Sequence, residues 1–312
     1  MKCCIPGRLY SSLMTKRPCC CSTNLKDLSA GPGSRHNPLN TQQGDKKMKR
    51  STVVLVLLFW SLSIGTALAV DTVTCWFAPG MSLDQAKAIT FALSKGSDVE
   101  VKPRVANNYP EILDAFESKE MNLVYAGSFA QAIIMARKLG TPLVQNIDGN
   151  ELYAGIMIHK IGQDPQTILA GSPAAIAYAI GASSGESTAK AATAGKAAIG
   201  VNSHAAAMDA VLAGKAQAAV VKDVWWQNNQ AKYPGFKAYA IPKFSAKKNP
   251  DNVLTASNEV PASLAEKFRV AAIKSSANFG PKAVIKPFSA SNLNFSLGLM
   301  MQGKIDPLTY KW

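Results

Sequence analysis

The fold class is decided by residues 99–147, which read VEVKPRVANNYPEILDAFESKEMNLVYAGSFAQAIIMARKLGTPLVQNI. In this stretch, short runs rich in β-branched and apolar residues alternate with longer segments of helical periodicity. The alternation predicts three strands and two helices, namely strands at 99–105, 122–125 and 143–147 and helices at 109–118 and 129–139. Repeated βα units of this kind are typical of a mostly parallel sheet covered by helices.

The pattern continues on both sides of this stretch. A predicted strand at 73–77 and a helix at 82–95 precede it, and a long strand-like run at 151–159 leads out of the unit. A second βα series follows, with predicted strands at 175–180, 198–201 and 218–222 and helices at 187–194 and 205–213. The tail adds a strand at 253–256 and helices near 263–276 and 292–301.

Two βα series joined by a crossing strand predict an α/β protein of two lobes with a cleft between them. In such proteins the tail usually returns to the first lobe. We therefore expect lobe 1 to comprise residues 70–159 and 251–312, and lobe 2 to comprise residues 160–250.

The composition is that of a globular protein, with 47% hydrophobic and 17% charged residues among 312. Five of the six cysteines lie within the first 21 residues, which excludes a disulfide-stapled scaffold for the main body. The formal net charge is +14, but from residue 70 onward only 24 Lys and Arg face 18 Asp and Glu. A mildly basic body without an arginine-rich run suits a small anionic ligand and does not favour nucleic acid.

Residues 48–69 have the three-part pattern of a secretory signal peptide. Lys49 and Arg50 precede an apolar run that starts at Val53, and Ala67-Leu68-Ala69 supplies a cleavage site. A transmembrane anchor is the alternative, because the uncharged stretch is about as long as a bilayer span. We interpret residues 1–47 as a spurious upstream start or an unstructured extension, and residues 70–312 as the mature protein.

Polar residues cluster where predicted strands of the second series end, which is where open α/β sheets bind ligands. Residues 181–188 read GASSGEST and open a helix, so hydroxyls and free backbone N–H groups can hold an oxyanion there. Ser183 and Glu186 also fit a capping box, which needs no ligand. His204 and Asp223 follow the next two strands, where a capped helix start and a surface aspartate are the alternatives.

Tyr109 and Tyr125 occupy comparable positions in the first series, and core packing is the alternative for Tyr125. An enzyme is disfavoured, because His204 and Asp223 have no convincing nucleophile partner. A metal site is disfavoured because the three His show no ligand spacing, and we expect no cofactor.

With these residues in place, the chain resembles the periplasmic phosphate- and phosphonate-binding proteins of ABC importers. The resemblance covers nearly all of residues 70–312 and rests on the order and spacing of several short segments. They are residues 108–116 (NYPEILDAF), 124–130 (VYAGSFA), 183–185 (SSG), His204 with 210–216 (AVLAGKA), and Asp223.

The resemblance implies a type II two-lobe binding fold that closes on a phosphate- or phosphonate-like oxyanion and delivers it to an ABC permease of the inner membrane. It implies a periplasmic location, no catalysis, and ligand contacts from Tyr109, Tyr125, Ser183, Ser184, His204 and Asp223, to which we add Ser187 as a further hydroxyl of the helix start. Ala182 and Glu186 depart from the family pattern, since a hydroxyl and an apolar residue are usual there. They leave open a ligand with a cationic or apolar tail, or a different organic cargo for transport or sensing.

Overall fold

The structure is a computed structural model that describes residues 72–312, all within one compact unit. The predicted extension at 1–47 and the predicted signal peptide at 48–69 lie outside the described residues. Within the described part of the chain, no helix combines the length and the apolar character needed to cross a bilayer.

The regular elements alternate along the chain. The strands are β1 (Val73–Phe77), β2 (Val101–Val105), β3 (Asn122–Ala126), β4 (Gly140–Ile147), β5 (Leu152–Tyr153), β6 (Gly155–Lys160), β7 (Ile176–Ala179), β8 (Ile199–Val201), β9 (Ala218–Lys222), β10 (Phe236–Tyr239), β11 (Asn249–Pro250), β12 (Val253–Ser257) and β13 (Val284–Pro287). The α-helices are α1 (Leu83–Ser97), α2 (Tyr109–Glu117), α3 (Ser128–Ala136), α4 (Pro165–Gly171), α5 (Ser184–Ala192), α6 (His204–Leu212), α7 (Asp223–Asn229), α8 (Ala262–Lys274) and α9 (Asn294–Gln302).

Two sheets form two lobes, as the sequence predicts. The first sheet has the order β13-β4-β12-β3-β1-β2, in which β1, β2 and β3 are parallel and β12 runs antiparallel to both β3 and β4. The second has the order β10-β6-β9-β7-β8, in which β7 is parallel to β8 and β9. We call the first sheet with α1, α2, α3 and α8 the first lobe, and the second sheet with α4–α7 the second lobe.

The chain passes between the lobes twice, through the antiparallel pair of β5 and β11. The tail then adds β12 and β13 to the first sheet, and α9 packs against α5 of the second lobe and α3 of the first. One apolar cluster consequently contains first-lobe residues, Ala182 and Ala191 of the second lobe, and Leu299 of α9. The lobes are therefore in contact along the cleft, which describes a closed arrangement.

Several predicted boundaries were wrong. The helix predicted at 187–194 begins at Ser184, because the Ser183 side chain caps it. The strand-like run at 151–159 is divided into β5 and β6 at Ala154. The short elements α4, α7, β10 and β13 were not predicted, and α7 places Asp223 at a helix start.

Candidate functional site

A small cavity lies between the lobes, where strands end and helices begin. Its volume is about 20 Å³ for the centre of a water-sized sphere. One water needs roughly 10–15 Å³ by this measure, so the closed cavity fits only a compact group. The lining residues are Ala78, Tyr109, Gly127, Phe129, Ala130, Tyr153, Ala182, Ser183, Ser184, Lys222 and Asp251.

Two helix N-termini meet this cavity from opposite lobes. In the first lobe, α3 starts after Gly127, which has no side chain to cap the helix, and Phe129 and Ala130 of its first turn line the cavity. In the second lobe, α5 starts after Ser183, and Ser184 lines the cavity. Free N–H groups and the positive ends of two helix dipoles therefore favour a negatively charged ligand.

The two serines of the α5 start have different roles. Ser183 Oγ accepts from the Glu186 backbone N–H at 3.2 Å and donates to the Ala179 carbonyl at 2.5 Å, which is a capping role. Ser184 Oγ is buried and has no hydrogen-bond partner within residues 72–312. A buried hydroxyl without a partner is costly, so Ser184 is the better candidate for a ligand contact. Ser187 Oγ donates only at 3.5 Å, to the Ala182 carbonyl, and does not line the cavity.

A charged pair completes the cavity wall. The Lys222 ammonium forms an ion pair with the Asp251 carboxylate and lies 4.6 Å from the ring centroid of Tyr153. Tyr153 Oη lies 3.0 Å from Ser128 Oγ, and burial together with the nearby Asp251 charge raises the pKa of Tyr153. Lys222 is the only cationic residue that lines this cavity in the described part of the chain, and it supplies a countercharge for an anion. The sequence analysis missed Lys222, Tyr153 and Asp251.

His204 is a buried, neutral histidine beside the cavity. Its ring centroid lies 6.5 Å from that of Tyr109, which lines the cavity, and 5.8 Å from that of Trp225. Burial and the Lys222 charge lower the pKa of His204 to about 3. Neither ring nitrogen has a hydrogen-bond partner among the described residues. A neutral imidazole still carries one N–H, so His204 retains an unused donor next to Tyr109.

Neither Asp223 nor Tyr125 lines the cavity. Asp223 Oδ1 accepts from the Ala154 N–H at 3.1 Å, which ties the start of α7 to the crossing segment, and Oδ2 lies 3.2 Å from Lys247 Nζ. Tyr125 packs between Phe77 and Phe279, with ring centroids 6.0 and 5.5 Å away. It belongs to the hydrophobic core between the first sheet and helices α1 and α8. Core packing was the alternative interpretation of Tyr125 in the sequence analysis.

Glu186 is occupied by partners within the protein. Its Oε1 accepts from Lys190 Nζ at 2.6 Å, and its Oε2 accepts from the Ala182 N–H at 2.8 Å and from the Tyr310 hydroxyl at 2.5 Å. These three partners account for the buried carboxylate without a cationic ligand tail.

Together, the two sheets and the cavity at opposed helix starts define a two-lobe solute-binding protein. The chain belongs to the family of periplasmic substrate-binding proteins of ABC phosphonate transporters, whose family model matches residues 73–293. Members of this family bind substrates for import. No curated protein sequence matches the chain.

Solved structures share this fold at low sequence identity. The methylphosphonate complex of PhnD1 from Prochlorococcus marinus has a TM-score of 0.58 at 13% identity, covering 76% of this chain and 100% of that one. A binding-protein component of an ABC phosphonate transporter from Pseudomonas aeruginosa has a TM-score of 0.56 at 16% identity, with coverages of 75% and 87%. An ATP-bound protein from Xanthomonas citri has a TM-score of 0.57 at 10% identity, with coverages of 74% and 97%. These likenesses confirm the type II two-lobe fold that the sequence predicts.

Proposed function

We propose that the protein captures a small phosphate- or phosphonate-like oxyanion in the periplasm and delivers it to an ABC permease of the inner membrane. The two lobes close on the ligand by hinge motion at β5 and β11. Because β6 (Gly155–Lys160) pairs with β9 and β10, we place the start of lobe 2 at β6, before the boundary after residue 159 that the sequence suggested. The single observation that carries the proposal is the convergence of two helix N-termini, the Lys222 ammonium and the unpartnered Ser184 hydroxyl on one cavity.

The charges of the cavity wall define the ligand further. Each helix N-terminus contributes roughly half a positive charge. The Lys222 charge is balanced by Asp251, which leaves the wall about one positive charge in total. A singly charged oxyanion matches this balance. Because an ionised carboxylate only accepts hydrogen bonds, Asp251 favours an oxyanion that retains a proton.

The size of the cavity supports a compact ligand. The cavity is small, with a volume of about 20 Å³. We therefore expect the compact oxyanions phosphate, phosphite and methylphosphonate to bind in preference to aminoethylphosphonate.

The proposal is tested by thermal unfolding of the purified protein with phosphate, phosphite, methylphosphonate, aminoethylphosphonate and sulfate. A ligand at a hundredfold excess over its Kd should raise Tm by about 5–10 °C. Sulfate is the matched control, because it has the same shape and carries no proton near neutral pH. No shift with any phosphorus oxyanion would contradict the proposal and leave the fold with a different organic or apolar cargo, for transport or sensing.

Delivery to a permease is tested separately. Cells that lack the protein should take up the labelled ligand more slowly than cells that contain it. Equal uptake in both would contradict the import role even where the ligand binds.

A further inference from the structure

The C-terminal residues 305–312 are fastened to the first lobe. The Arg137 guanidinium donates to the carbonyls of Pro307 and Tyr310 and lies 4.7 Å from the ring centroid of Trp312. Trp312 Nε1 donates to Asp114 Oδ1 of α2 at 2.7 Å. The Tyr310 and Trp312 rings stack with centroids 6.3 Å apart. The backbone of this tail is thus anchored to α2 and to the segment after α3.

The Tyr310 hydroxyl reaches from this tail to the second lobe. It accepts from the Gly181 N–H at 3.0 Å and from the Ala182 N–H at 2.9 Å, and it donates to Glu186 Oε2 at 2.5 Å. One hydroxyl therefore has two partners in the loop between β7 and α5 and a third in the first turn of α5. Burial and the Glu186 charge raise the pKa of Tyr310, which keeps the hydroxyl protonated.

These bonds stabilise a loop conformation that is costly for the chain alone. Ala182 has a φ of 51°, in the left-handed region that an alanine rarely adopts. Its side chain is fully buried in the apolar cluster of the first lobe. Ser183 and Ser184 follow at once, so the position of Ala182 determines where the cavity-lining start of α5 lies.

We propose that Tyr310 is a positioning residue that holds the 181–184 loop in its binding geometry only while the lobes are closed. Opening of the cleft separates the tail on the first lobe from the loop on the second and removes all three bonds. Formation of the three Tyr310 hydrogen bonds and ordering of the start of α5 at Ser183 and Ser184 are therefore coupled to closure. The effect on ligand affinity rests on the proposed function, whereas the effect on the loop and on closure does not.

The direct test is hydrogen–deuterium exchange of the Gly181 and Ala182 amides in the purified protein and in Tyr310→Phe, each with and without saturating methylphosphonate, because the bonds belong to the closed form. The phenylalanine retains the ring packing and loses only the hydroxyl. In the closed form we expect the Gly181 amide to exchange at least about tenfold faster in the variant, since it loses its bond to the hydroxyl, and the Ala182 amide to change less, since it keeps its bond to Glu186 Oε2. Tyr239→Phe is the matched control, because the Tyr239 hydroxyl bonds only Gln166 at 3.4 Å in the second lobe.

Two results would overturn the inference. Unchanged exchange at Gly181 and Ala182 in Tyr310→Phe would mean that the hydroxyl does not hold the loop. A uniform increase at all amides, including those of α1, would mean that Tyr310 has only a general structural role. A chain that ends at Thr309 provides a second variant, and it should give the same local increase in exchange.

Two further measurements separate this inference from the proposed function. Small-angle scattering without ligand should give a larger radius of gyration for Tyr310→Phe than for the unchanged protein, because closure has lost a contact. Titration with methylphosphonate should give a Kd about tenfold higher in the variant. An unchanged radius and an unchanged Kd would refute the coupling while leaving oxyanion binding intact. If no oxyanion binds the unchanged protein, the proposed function fails, and exchange with scattering decides the coupling alone.

Discussion

Replacement of Ser184 by alanine should affect stability and binding in opposite directions. Its Oγ is buried at the cavity and has no partner within the described residues. Burying an unpaired hydroxyl costs roughly 1–3 kcal/mol, so its removal should leave the free energy of unfolding unchanged or raise it by about 1 kcal/mol. For a protein of this size that corresponds to a Tm that is unchanged or higher by about 2–4 °C.

The affinity for an oxyanion should fall in the same variant. A hydrogen bond to a charged group contributes about 1.5–3 kcal/mol, which is roughly a 10- to 150-fold change in Kd. Calorimetric titration with the oxyanion that shifts Tm most provides the Kd, and thermal unfolding without ligand provides the stability.

Ser183→Ala is the matched control for this prediction. It removes the neighbouring hydroxyl, which caps α5 and bonds the Ala179 carbonyl. Loss of such a cap costs about 1 kcal/mol, so its Tm should fall. The reasoning is refuted if Ser184→Ala lowers Tm as Ser183→Ala does, or if it leaves the Kd unchanged.

Three further predictions concern charge, pH and space. Lys222→Met combined with Asp251→Asn leaves the net charge of the cavity wall unchanged but removes the ammonium donor. The oxyanion Kd should rise more than tenfold in a titration, because a charge-assisted hydrogen bond is lost; an unchanged Kd would exclude Lys222 as the anion partner. Because the pKa of His204 is lowered to about 3 from 6.5, the unfolded chain binds a proton that the native protein does not. The free energy of unfolding should therefore be highest above pH 6.5 and fall by up to about 1.4 kcal/mol per pH unit as the pH drops towards 3. In thermal unfolding, His204→Gln should show a weaker dependence on pH. Equal pH dependence in the two proteins would contradict the burial of a neutral ring. In Gly127→Ala the new methyl group would lie 3.1 Å from Asp251 Oδ1 and from Tyr153 Oη. The oxyanion Kd should therefore rise while Tm changes little. An unchanged Kd would mean that the ligand binds elsewhere.

The alternation of strands and helices was predictable because the spacing of apolar residues, which differs between strands and helices, is a local property of the sequence. β9 was predicted to the residue, at 218–222, and the start of α2 at Tyr109 was also correct. The Ser183–Glu186 spacing correctly indicated a capped helix start after β7, although the helix itself was predicted three residues late. Local signals of this kind suffice to place helix starts at the ends of parallel strands, and hence to locate the cleft.

The composition of the cavity wall was harder to predict from the sequence, because it depends on contacts between residues that are far apart along the chain. Lys222 pairs with Asp251 across the crossing segment, and neither residue stands in a motif. Tyr125 shows a second difficulty. β3 is buried on both faces, so its residues give no polar alternation to indicate which side chains face the cleft. Tyr153 lines the cavity instead, from a two-residue strand too short for any periodicity.

The two departures from the family pattern have one structural explanation. As a sequence feature, Ala182 lacks a hydroxyl and Glu186 adds a carboxylate, and both weaken the case for an oxyanion. In the structure, the small Ala182 side chain is enclosed by the first-lobe cluster, and its N–H donates to Tyr310 and Glu186. Ala182 is fully buried, and an apolar residue at position 186 would leave the Tyr310 hydroxyl without its acceptor. Both residues thus serve the contact with the tail, and of the residues that open α5 it is Ser184 that presents an unpartnered hydroxyl at the cavity.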